Sequence, residues 1–121
     1  MRIVRFSAAE RYEPEPGWTR SSLCNEPDLS VEHFIKPPGH ASPRHEHPQA
    51  QLLVVLDGSL IVETDEEQTE LQPGDAAYFP GGEPHRVRND GDTGATGLDI
   101  FGPGRSFDFW RRREGGARKE A

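Results

Sequence analysis

At 121 residues the chain has room for one domain and one core, and a hydrophobic content of 32% argues against a bundle of long apolar helices. The 13 glycines and 11 prolines suit an all-β chain, which needs many turns. The formal charge is −7, and since Arg111, Arg112, Arg113, Arg118 and Lys119 against Glu114 and Glu120 give residues 111–121 a charge of +3, residues 1–110 carry −10; so acidic a body repels phosphate backbones and excludes nucleic acid as an expected partner.

Cys24 is the single cysteine, so no internal disulfide forms and a reducing compartment suits the chain. The stretch from Met1 to Phe6 lacks the apolar core of a signal peptide, and no run approaches transmembrane length. The cytoplasm is the expected location, with no membrane partner.

In chain order, residues 2–6 read as a short edge strand, and Glu13-Pro14-Glu15-Pro16-Gly17 breaks regular structure. Residues 1–28 are therefore expected to form an N-terminal strand and an irregular lead-in, with Trp18 anchoring the restart. From Leu29 to Lys36 a period of two appears, with Leu29, Val31, His33 and Ile35 on one mostly apolar face and Glu32, Phe34 and Lys36 on the other. Pro37-Pro38-Gly39 ends that strand, and His40 lies in the turn. His33 and His40 are read mainly as surface or satisfied core groups.

The next stretch, His45-Glu46-His47-Pro48-Gln49-Ala50-Gln51, carries the chemistry. Side chains alternate along a strand, so His45, His47 and Gln51 share a side and can close on one ion. Imidazole is a good ligand for first-row metals, and the Gln carbonyl is a neutral oxygen ligand. Gln51 to Leu56 continues as an apolar strand with Leu53 and Val55 on the ligand side. Asp57-Gly58 signals a type I′ hairpin turn, with Ser59 to Thr64 returning. Asp65-Glu66-Glu67-Gln68 reads as a solvated hairpin tip. After Pro73-Gly74 come the strand from Ala76 to Phe79, a tight turn through Pro80, Gly81 and Gly82, and a strand from His85 to Asn89. His85 is the fourth candidate ligand.

The last core strand runs from Thr96 to Phe101, with Gly97, Asp99 and Phe101 on one side. If that side is the interior, Asp99 enters the cavity that holds the metal and Phe101 forms an aromatic wall. Burial would raise the Asp99 pKa toward acid–base use. The Gly102-Pro103-Gly104 turn could fold Arg105 back over the cavity mouth, where a guanidinium grips a carboxylate with two hydrogen bonds. The plainer alternatives are that Asp99 accepts backbone hydrogen bonds and Arg105 pairs with Asp108 on the surface. No convincing helix is found, so residues 29–110 are expected to form the barrel, and residues 111–121 a flexible basic tail.

Gly39, His45, His47, Gln51 and Gly58, followed by Gly74, Pro80, Gly82, His85 and Asn89, meet every spacing of two motifs of the cupin superfamily, with Gln51 where most of the family has Glu. The chain thus resembles a small single-domain cupin, which implies an all-β jelly-roll β-barrel. The resemblance implies one divalent transition metal at His45, His47, Gln51 and His85, its identity open among nickel, iron, manganese, zinc and copper. The segment from Asp99 to Arg105 is similar to that of the cupins of pectin and alginate breakdown, which linearise 4,5-unsaturated uronates. That similarity implies Asp99 as the catalytic proton carrier, with Phe101 and Arg105 binding a small-molecule acid. The other readings are a dioxygenase using iron, nickel or copper, and a non-catalytic binding module. A homodimer is expected, because a small barrel with an edge strand commonly buries that edge on a second copy.

Overall fold

The computed structural model describes residues 1–112. Nine strands follow one another in the chain: β1 (Arg11–Glu15), β2 (Trp18–Asn25), β3 (Ser30–Lys36), β4 (Ala50–Asp57), β5 (Leu60–Thr64), β6 (Gln68–Leu71), β7 (Ala76–Phe79), β8 (His85–Arg88) and β9 (Ala95–Gly102). They form a six-stranded sheet in the order β1-β2-β3-β9-β4-β7 and a three-stranded sheet in the order β6-β5-β8. The two sheets make a jelly roll without hydrogen-bonding into a closed barrel. No helix among the described residues is long and apolar enough to cross a membrane.

The N-terminal quarter differs from the sequence reading. Residues 2–6 form no strand, and a single 3-10 turn, Phe6–Ala8, stands there instead. The segment expected to be irregular is a hairpin, β1 and β2, added to the large sheet. Pro14 is tolerated because β1 is the edge strand, where a missing N–H costs no ladder bond, and the register slips between Tyr12 and Glu15. Gly17, at φ +81°, closes the turn, and its N–H donates to Glu13 Oε2 at 2.7 Å.

Asp57-Gly58 is a corner and not a hairpin turn, because β4 pairs with β7 and β9 while β5 pairs with β6 and β8. Type I′ geometry needs two residues with positive φ, and only Gly58 has one, +78°. A Cβ there would lie 2.9 Å from Gly94 O, so the chain can change sheets at this point only on a glycine. The core between the sheets holds Phe34, Leu53, Val55, Leu60, Val62, Leu71, Phe79 and Val87.

The face of β3 turned inward is the unexpected one. Ser30, Glu32, Phe34 and Lys36 are buried, while His33 is half-buried and Leu29 and Ile35 are exposed. The apolar set lies on the outer side because the inner side of this strand is the wall of a polar cavity. Where no helix was expected, a four-residue helix, α1 (Asp108–Arg111), ends the segment expected to be barrel, reaches the first residue of the expected tail and buries Trp110 against Tyr12, Trp18 and Phe107. Tail residues 113–121 lie outside the described ones.

Candidate metal centre

His45 and His85 are fixed by one isolated β-bridge, in which each backbone N–H donates to the other's carbonyl at 3.0 and 2.9 Å. The His47 carbonyl accepts from Gly82 N–H at 2.8 Å, so the turn after β7 is stitched to the ligand segment. Gly81 lies against the same segment, where a Cβ would sit 2.3 Å from Pro48 O. Phe79 stacks on the His85 ring, centroids 4.2 Å apart, and sets its plane.

The ring nitrogens sort themselves by their partners. Nδ1 of His45 faces Pro43 O at 2.9 Å, Nδ1 of His47 faces Gln49 O at 3.0 Å, and Nδ1 of His85 faces Glu83 O at 2.8 Å. A carbonyl only accepts, so each Nδ1 carries a proton and Nε2 is the nitrogen each ring presents to the cavity. The three imidazoles bring ligating nitrogens within 4.8 Å of one another. Burial lowers the pKa of His45 and carries that of His85 down to about 4, with the neighbouring imidazoles adding to the effect, so both rings are neutral near pH 7.

Two observations test the fit to a metal. His85 Nε2 is buried and has no hydrogen-bond partner. His47 Nε2 lies 2.9 Å from Gln51 Oε1, an amide oxygen that is itself an acceptor, because the Gln51 amide nitrogen donates to Asp99 Oδ1 at 2.7 Å. A metal ion beside this imidazole nitrogen and carbonyl oxygen would take a lone pair from each. The donor set, three imidazoles and one amide oxygen, suits a divalent first-row ion.

The opposite wall is charged. Arg20, Glu32 and Asp99 are each 5% exposed or less. Arg20 donates from Nε and one terminal nitrogen to Glu32 Oε1, at 3.0 and 2.7 Å, and from that same terminal nitrogen to Asp99 Oδ2 at 2.7 Å. Trp110 Nε1–H donates to Glu32 Oε1 at 2.8 Å. The sheet register explains the assembly, because Glu32 lies directly across from Asp99, and Asp99 directly across from Leu53. Asp99 therefore sits in the cavity as one half of an ion pair, without the backbone hydrogen bonds of the plainer reading.

Gln51 is the bridge between the walls. Its oxygen faces the histidines and its NH₂ faces a carboxylate, two tasks that a Glu at this position could not combine.

Arg105 folds back as its turn suggests. Gly102-Pro103 is a cis peptide bond, and Arg105 N–H donates to Ser30 Oγ at 2.9 Å. Its guanidinium lies between the rings of Phe101 and Phe109, 4.2 and 4.1 Å from their centroids. The side chain is 10% exposed, and the carboxylate of Glu32 stands 3.9 Å away. Its Nε is buried without a hydrogen-bond partner. Asp108 pairs instead with Arg111 and Arg112. Burial, partly offset by Glu32 and reinforced by Arg20, lowers the Arg105 pKa to about 10, which leaves it charged at neutral pH.

One cavity of about 220 Å³ is lined by His45, His47, Gln51 and His85 together with Asp99, Phe101 and Arg105, and Glu32 is buried behind its wall. Trp18, Arg20, Lys36 and Trp110 line it too, none of them singled out from the sequence as site residues. Their one signal was parity, since Lys36 and Glu32 share the face of Phe34.

The cupin domain model matches residues 32–101 of the chain. Among solved structures, KdgF from Halomonas sp. superposes with a TM-score of 0.77 at 25% identity, covering 87% of this chain and 94% of that one. An RmlC-like cupin from Shewanella frigidimarina gives a TM-score of 0.81 at 24% identity over 90% and 96% of the two chains. TT1209 from Thermus thermophilus gives 0.72 at 29% identity over 85% and 98%. No curated protein matches the sequence significantly. The match to the domain model spans more than half of the chain and contains every histidine of the candidate centre, and so the chain belongs to the cupin family.

Proposed function

We propose that this cupin is a metal-dependent enzyme acting on a small carboxylated substrate, with linearisation of a 4,5-unsaturated uronate as the specific reaction. The observation that carries the reading is Arg105. It is a buried cation with an open donor, and the two buried carboxylates near it, Glu32 and Asp99, are already engaged by Arg20. A buried guanidinium with an open N–H donor selects an anionic partner such as a carboxylate. Support for the finer reading comes from the segment from Asp99 to Arg105, which is similar to that of cupins that linearise 4,5-unsaturated uronates, and from the likeness in fold to KdgF.

In this reading His45, His47, His85 and Gln51 hold one divalent ion, which when bound polarises an oxygen of the substrate. Arg105 holds the substrate carboxylate, stiffened by the flanking Phe101 and Phe109 rings. Asp99, oriented by Arg20 and by the Gln51 amide, moves the proton that ring opening and tautomerisation require.

The test begins with the metal content of the wild type and of His47→Ala, expected to be one ion per chain and none. The loaded protein is then given a 4,5-unsaturated uronate monosaccharide, and loss of the conjugated chromophore is followed. Asp99→Asn should lower turnover by about 10²–10⁴-fold with metal content unchanged. Oxygen consumed in step with substrate would replace this reading with a dioxygenase. Tight binding of the acid without turnover would replace it with a binding module.

A further inference from the structure

A second group of side chains, which reaches this cavity through Lys36, has no part in that reading. Lys36 lies on the inner face of β3, four residues beyond Glu32 and so about 13 Å further along the wall. It is 3% exposed and lines the cavity with Trp18 and Phe34. Its Nζ lies 2.7 Å from His40 Nδ1, and His40 Nε2 lies 3.1 Å from Glu15 Oε1. A carboxylate only accepts, so His40 carries its proton on Nε2 and turns a lone pair at Nδ1 toward the amine. The order is amine, imidazole, carboxylate, which puts a nucleophile within reach of a base that a third group orients. The Glu15 side chain is 46% exposed, so the series runs from solvent into the cavity.

The surroundings favour a neutral amine. Burial lowers the Lys36 pKa to about 7, and Arg20 on β2 acts in the same direction, against Asp99 on β9 and Glu15 on β1. The usage of basic residues is also pointed. Of the 14 basic residues only Lys36 and Lys119 are lysines, and the cavity's other cations, Arg20 and Arg105, are arginines. A guanidinium serves wherever charge alone is needed; nucleophilic addition needs an amine.

We infer that Lys36 is a nucleophile, with His40 as its base and Glu15 orienting the imidazole, and that it takes the carbonyl carbon of a small aldehyde or keto acid as an imine. The neutral amine adds to the carbonyl carbon, forming the C–N bond while the C=O π pair moves to oxygen. His40 Nδ1 accepts the proton released by nitrogen and returns it to that oxygen, which gives a carbinolamine. Loss of the second nitrogen proton with departure of the hydroxyl as water leaves C=N, and hydrolysis reverses both steps.

The full chain is incubated with glyoxylate and cyanoborohydride at pH 7, digested, and its modification at Lys36, Lys119 and the amino terminus quantified by mass spectrometry. Lys36 should be modified at least about tenfold faster than Lys119, because an ordinary lysine with a pKa near 10.4 is almost wholly protonated there. His40→Gln, which keeps the amine and loses the base, should slow the Lys36 reaction several-fold while the Lys119 rate stays constant. His47→Ala, which removes a metal ligand, should leave Lys36 fast, so the result stands apart from the metal reading. Modification of Lys36 no faster than Lys119 in the folded protein overturns the inference. An unchanged rate in His40→Gln overturns the part assigned to the imidazole. A lysine that only ties the first hairpin to the His40 loop would give both of those negative results.

Discussion

On one side of the cavity three imidazoles bring their ring nitrogens together, and on the other two carboxylates and two guanidiniums lie packed together. The first wall is anchored to backbone, since every histidine Nδ1 meets a main-chain carbonyl. The second is anchored to itself, since Glu32, Arg20 and Asp99 hold one another. A wall anchored to backbone keeps its shape when one ligand is lost. A wall of mutually compensating charges does not, because each charge is the reason the next is tolerated.

The largest effect should therefore come from the charged wall. Arg20→Met strands two buried carboxylates and should cost about 3–5 kcal/mol of stability in denaturant titration. If the loss matches that of an ordinary core substitution of similar volume, the two walls do not differ as described.

Gln51→Glu tests the bridge between them. It replaces an amide donor with a carboxylate beside Asp99, and the metal-free protein should lose about 1–3 kcal/mol. The loaded protein should bind its ion more tightly, so the melting difference with and without chelator widens.

Lys36 gives a slope with pH. Its pKa is about 7 when folded, against an ordinary value of 10.5, so between those values the unfolded chain binds the extra proton. Stability should therefore rise with pH across that window, by up to about 1.4 kcal/mol per unit, and Lys36→Met should flatten the rise. The smallest effect should be that of Ser30→Ala, which removes the acceptor for Arg105 N–H and should cost about 1 kcal/mol. It should raise KM for an acidic substrate more than it lowers kcat.

The same contrast explains what the sequence disclosed. The imidazole wall depends on short spacings, His45 to His47 to Gln51 and then His85 after a Pro-Gly turn, and local spacing survives in one dimension. Asp99 and Phe101 were legible for the same reason, from parity on one strand. Arg20, Glu32 and Lys36 were not, because a charged residue in an alternating strand resembles a solvent-facing one until its partner across the sheet is known. Arg20 meets Asp99 across 79 positions of chain, and it lies in a segment whose prolines suggested no strand at all. The corner at Gly58 was missed because a hairpin and a change of sheet use the same residues, and only strand pairing separates them.

Glu32 Oε1 is shared between Arg20 and the indole of Trp110, and this makes the docking of α1 depend on the charged wall. A helix of four residues has no stability of its own, so α1 docks only where a carboxylate and an aromatic cluster already wait for it. That carboxylate is tolerable only after β2 and β9 have brought up Arg20 and Asp99. The wall that Trp110 completes therefore depends on the sheet beneath it, and α1 stays docked only while β2, β3 and β9 hold Arg20, Glu32 and Asp99 in place.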